Sequence, residues 1–159
     1  TTEIYTLSLH DALPIFIHLA THGQFGTDPE NTFIVTGNNQ KLTFSQLDRL
    51  IRSVTRNREP LELLTLTACE TAVGNNRSAL GLAGVAIQAG AKSAIASLWA
   101  INDAATAQFA SDFYAQLLSD SKSKAEALQA AQLKFINEEG SRSKHPAYWS
   151  SFVLIGNWL

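Results

Sequence analysis

The chain has 159 residues, 45% of them hydrophobic and 16% charged, with a formal net charge of −2. That describes one ordinary globular domain with a core of its own, not a disordered or fibrous chain. No Lys/Arg-rich run and no apolar run of about 18 residues occurs, so neither nucleic acid nor a membrane is an expected partner.

A single cysteine, Cys69, excludes an internal disulfide and suits a reducing, cytoplasmic setting. With no methionine in the sequence, the expectation is that the chain does not begin at a natural start and is a fragment. Residues 1–15, TTEIYTLSLHDALPI, show no period that joins to the strand starting at Phe16, and LSLHDALPI resembles a translated sequencing-library adapter. The expected organisation is a non-native leader over 1–15 and one domain over 16–159. The alternative is a native loop and strand.

FIHLAT (Phe16 to Thr21) is short, apolar and β-leaning, and it stops at His22-Gly23. TFIVT, between turn signals, reads as a strand in a hairpin-like loop. Thr43 to Gln46 fits a capping box. Leu47, Leu50, Ile51 and Val54 then mark an amphipathic helix ending near Arg56. LELLTLT (Leu61 to Thr67) is a mainly apolar, partly β-branched run, as a strand buried on both faces would be, and hence parallel. It runs into Ala68-Cys69-Glu70. GLAGVAIQAG is a small-residue helix with Gly90 as its stop, and Lys92 to Trp99 form the next strand. Asn102 caps a helix whose apolar face includes Ala105, Phe109, Phe113, Leu117 and Leu118. Ser121 or Ser123 caps another, with Ala127, Leu128, Ala131, Leu133 and Phe135 inward. SFVLIG is a final strand. Strands alternating with helices predict an α/β sandwich on a mainly parallel sheet.

In such sheets ligands sit beyond the carboxyl ends of the strands. His22 and Cys69 both follow strands there. If those strands are neighbours in a β-α-β crossover, the two side chains share an edge. Their separation of 47 positions is close to the roughly 50-residue His-to-Cys spacing of caspases. A thiolate is the nucleophile, an imidazole can take its proton and return it to a leaving amine, and an oxyanion needs backbone donors. Gly23 and Cys69 offer such N–H groups. A buried, inert thiol and a structural histidine are the competing reading. His18 shares strand parity with His22 and reads as a supporting residue deeper in the strand. Metal binding is not expected: Leu19, not Glu, follows His18, and His145 has no paired ligand nearby.

In this order and spacing, IHLATHG, LTACETAVG, GLAGVAIQAGAKSAIASLWAINDAAT, FYAQLL, EALQAAQ and HPAYWSSFVLIGNW together resemble the CHAT domain. CHAT belongs to the broad group that includes caspases, gingipains and separase. The resemblance covers Phe16 to Trp158. It implies a caspase-hemoglobinase-like three-layer α/β/α sandwich and a cysteine endopeptidase with no cofactor, acting on a protein or peptide substrate. His22 matches the family histidine, Cys69 the nucleophile, and Gly23 with the Cys69 backbone the oxyanion hole. Asp103 and Trp99 are candidate substrate-pocket residues. Against this, Asp103 can simply favour the helix dipole and Trp99 can be core. Glu70 either anchors the nucleophile loop or is an exposed acid.

The family usually carries further elements before the histidine strand, so the N-terminal part of the sheet is expected to be truncated. A repeat domain or partner protein that regulates it would lie outside this sequence. The competing function is a non-catalytic caspase-like scaffold that binds protein partners. A generic hydrolase or nucleotide-binding domain lacks its motif here: there is no G-x-S-x-G, P-loop or strand-linked G-x-G-x-x-G.

Overall fold

The computed structural model describes residues 3–6, 15–24, 32–55, 60–67, 77–99, 101–119, 122–138 and 144–159. In chain order the strands are β1 (Glu3–Thr6), β2 (Ile15–Ala20), β3 (Gly23–Gln24), β4 (Phe33–Val35), β5 (Lys41–Thr43), β6 (Leu61–Leu66), β7 (Ser93–Ser97) and β8 (Phe152–Gly156). The helices are α1 (Phe44–Thr55), α2 (Arg77–Gln88), α3 (Asp103–Leu117), α4 (Lys124–Asn137) and α5 (Pro146–Trp149).

Local chemistry sets the helix boundaries. Gln46 Oε1 accepts the Thr43 N–H at 2.8 Å, the returning half of a capping box at the start of α1. At the end of α2, Gly90 takes φ +111°. Its N–H reaches the Ile87 carbonyl and the Ala91 N–H reaches Ala86, which is a Schellman closure. Asn102 caps α3 through the Ala105 N–H at 2.8 Å. Of the two serines before α4, Ser123 forms the cap, paired reciprocally with Glu126.

The main sheet has the order β1-β2-β6-β7-β8. Its middle pairs, β2 with β6 and β6 with β7, are parallel; β1 and β8 pair antiparallel at the edges. Glu3–Thr6 and Ile15, from the segment set apart in the sequence, thus hold positions in this sheet. A second sheet, β3-β4-β5, carries the TFIVT strand at its centre. In it the hairpin-like loop becomes three short antiparallel strands.

Helices cover both faces, giving the three-layer α/β/α sandwich. On one face Leu47 and Ile51 of α1 and Ala83 and Ala86 of α2 pack on Leu19, Leu64, Leu66, Ala94 and Ala96. Small side chains on both surfaces let α2 sit close to β7. The other face is aromatic: Phe109, Phe113, Phe135 and Phe152 join Leu63 and Ile95. The Phe109 and Phe152 rings stack with centroids 3.8 Å apart.

Leu61 and Leu64 share the first face despite their odd separation, because the ladder slips between Ile15–Leu61 and Phe16–Leu63. Beside the slip, Glu62 meets Lys92 at 2.8 Å and the buried Lys124 at 2.7 Å.

Three leucines depart from the expected apolar stripes. Leu133 lies two residues past Ala131, about 200° around the helix from the Ala127–Ala131–Phe135 stripe, and is exposed. Leu118 is the C-cap of α3, beyond its last helical residue, and is 68% exposed. Leu50 flanks the Leu47–Ile51 line and is also exposed. The strand expected over Lys92 to Trp99 is shorter, with Leu98 and Trp99 in a bend after β7.

Candidate functional site

β2 and β6 are adjacent and parallel, so the chain leaves both at one sheet edge. The last paired residues are Leu19 and Leu66, and the Thr67 N–H extends the ladder by donating to the Leu19 carbonyl at 3.1 Å. In sequence, His22 stands three residues after Leu19 and Cys69 three residues after Leu66. Cys69 and Glu70 lie outside the described residues.

The His22 side chain is exposed, while Gly23 is buried. The segment that holds them is braced by the small sheet. The Thr21 hydroxyl donates to the Val35 carbonyl, and the Val35 N–H donates to the His22 carbonyl at 2.8 Å. Bonded and non-bonded pairs alternate along an antiparallel ladder. His22 and Val35 form a bonded position, so the next pair, Gly23 with Ile34, is a non-bonded one. The Gly23 N–H therefore points away from β4.

His18 faces the aromatic layer. Its Nε2 lies 2.9 Å from Thr67 Oγ1, and its ring centroid is 5.5 Å from that of Tyr114. The Tyr114 hydroxyl donates to Thr65 Oγ1 at 2.9 Å. Burial lowers the His18 pKa below its ordinary value, which favours the neutral imidazole. Burial also holds the Tyr114 phenol above its ordinary value, against the opposing pull of the Thr65 bond. Sequence alone signals part of this group. Thr65 and Thr67 alternate with leucine at the end of this strand, so both face one way. Nothing in the spacing points to Tyr114 on α3.

The pocket candidates divide. β7 runs parallel to β6, so Trp99 and Asp103 follow it at the same edge. Trp99 is half-buried against the aromatic core, and its indole N–H donates to the Ala147 carbonyl at 2.8 Å, tying α5 to the strand end. Asp103 is exposed in the first turn of α3. His145 caps α5, its Nδ1 accepting the Ala147 N–H at 3.2 Å. Among the described residues, no three His, Cys, Asp or Glu side chains come together as metal ligands. No helix among them is long and apolar enough to cross a membrane.

Among curated proteins no match to the chain is found. The family model of the CHAT domain matches residues 6–157, starting inside the segment set apart in the sequence. The chain therefore belongs to the CHAT domain family, a caspase-like, protease-related group.

Proposed function

We propose that the chain is a cysteine endopeptidase working through His22 and Cys69. The observation that carries this is the strand pairing: two neighbouring parallel strands, in register to Leu19 and Leu66, lead to these residues in equal numbers of steps. The braced His22 backbone and the outward Gly23 N–H add to it.

The chemistry runs in two halves. The Cys69 thiol gives its proton to a His22 ring nitrogen, and the thiolate attacks the scissile carbonyl carbon. The carbonyl π pair moves to oxygen, where the Gly23 and Cys69 N–H groups receive the oxyanion. Collapse breaks the C–N bond, and His22 returns its proton to the departing amine. In the second half His22 takes a proton from water. The hydroxide attacks the thioester, the new carboxylic acid leaves, and the proton restores the thiol. The substrate is a protein or peptide. Trp99 and Asp103 stand at the edge where its side chains would lie, and Glu70 follows the nucleophile. A regulatory repeat domain or partner protein would act from outside this chain.

Cleavage of a diverse peptide library tests the reading. Wild-type protein cuts it, Cys69→Ala abolishes cutting, and His22→Ala lowers it by at least about a hundredfold, the lower end of typical general acid–base contributions. A chain that binds protein partners without cutting any peptide, or a Cys69→Ala variant that still cuts, overturns the proposal in favour of a scaffold.

A further inference from the structure

The His22–Cys69 mechanism leaves one polar group unused. His18, on β2, faces β6 and α3, and its ring is hydrogen-bonded to Thr67 and tilted against Tyr114. Thr67 is buried and is the last described residue before the segment that carries Cys69. Its backbone is held by Leu19 and its side chain by His18, so two residues of β2 fix it. Two residues back along the same strand, Thr65 is held by Tyr114 from α3. These bonds form a strut that joins α3, the His22 strand and the Cys69 strand on one face of the sheet.

We infer that His18 is a positioning residue: through Thr67 Oγ1 it sets the direction in which the chain leaves β6 and so the place of the Cys69 sulfur relative to His22. The inference rests on the endopeptidase reading. Its physical basis is that Thr67, held through both its backbone and its side chain, is the anchor from which the chain leaves β6 toward Cys69. Misplacing a reacting atom by about 1 Å can cost on the order of a hundredfold in rate. The neutral imidazole favoured by burial suits this role, because its Nε2 can accept from or donate to the Thr67 hydroxyl, according to tautomer, without burying a charge. His18 is not a second base for the reaction, since its ring is committed to Thr67 on the core side of the strand.

The test uses the fact that Cys69 is the one cysteine of the chain. The rate at which iodoacetamide forms an adduct located on Cys69 by mass, followed against pH, reports its thiolate. Thr67→Val keeps the volume and removes the hydroxyl; Thr67→Ser keeps the hydroxyl. The inference predicts that Thr67→Val and His18→Phe lower the neutral-pH rate roughly tenfold and move the profile toward that of a free thiol, pKa about 8.5. Thr67→Ser and His18→Gln, whose Nε2 can reach the same oxygen, retain the wild-type profile. Melting temperatures show which variants fold; if His18→Phe does not, the Thr67 pair decides alone. A Thr67→Val protein that is folded and has the wild-type profile overturns the inference. His22→Ala tests the dyad separately. If it leaves the profile unchanged the endopeptidase reading falls, whatever Thr67→Val does.

Discussion

Gly156, at the end of β8, has φ +96°, a conformation that side chains with a Cβ rarely adopt. A Cβ placed there would lie 2.3 Å from the Lys92 carbonyl oxygen, 2.9 Å from Ile87 Cδ1 and 3.2 Å from Ser93 Cα. Gly156→Ala therefore meets backbone, which cannot swing aside as a side chain can. The left-handed conformation costs an alanine about 1–2 kcal/mol. Overpacking adds about 1–3 kcal/mol. Reduced freedom of the unfolded chain offsets about 0.4–1 kcal/mol. The net loss is about 3 kcal/mol. Relief by shifting the strand end would strain two 2.8 Å bonds, Asn157 N–H to the Lys92 carbonyl and Ser93 Oγ to the Asn157 carbonyl. Urea denaturation measures the loss directly, and the melting temperature should fall by about 6–12 °C. A variant within about 1 kcal/mol of wild type would refute this seating of β8 on β7.

Gly84 in α2 has nothing within 4 Å of the equivalent Cβ position, so Gly84→Ala should raise stability by about 1 kcal/mol in the same assay. Glu62→Gln leaves the buried Lys124 without its carboxylate and should cost about 3 kcal/mol by urea denaturation. The Glu62 carboxyl is held below its ordinary value of 4.5: burial pushes it up, but the bonds and charges of Lys124 and Lys92 outweigh that. Its contribution is thus full above pH 4.5 and lost as pH falls through the lower folded value, and Glu62→Gln should remove that part of the acid transition. His18 acts at higher pH. Its folded pKa lies below 6.5, so the unfolded chain takes up the proton first, and stability declines as pH falls from 6.5 toward the folded value. In His18→Phe the slope in that window should vanish; a slope that persists assigns it to another group.

Periodicity makes the layered fold legible because each core element has one dominant pattern. LELLTL is apolar on both faces and forms a central parallel strand; α1 and α3 bury the residues of their stripes nearest the sheet. Caps at Asn102 and Ser123 and the stop at Gly90 are legible because each satisfies backbone groups locally. The features that sequence does not reveal depend on pairing across long separations. β3 and β5 are two and three residues long, too short for any period, and exist through their bonds to β4. Asp112 interrupts the apolar side of α3 and is buried because Lys134 of α4 and Gln108 reach it. The brace of Val35 on His22 and the Tyr114–Thr65 and His18–Thr67 bonds likewise join residues remote in the chain. At the candidate site, spacing identifies the two strand ends, and the structure adds what holds the histidine end in place.

The most direct measurement of the central claim is covalent trapping. A peptidyl acyloxymethyl ketone reacts with an activated thiolate and leaves one thioether, which intact mass and a digest locate. With one cysteine in the chain, the assignment is unambiguous. The account predicts a single adduct on Cys69 that needs the peptide portion of the probe and is lost or slowed at least about tenfold in His22→Ala. Equal labelling of wild type and a folded His22→Ala variant would contradict it, because Cys69 would then react as an ordinary thiol without a partner.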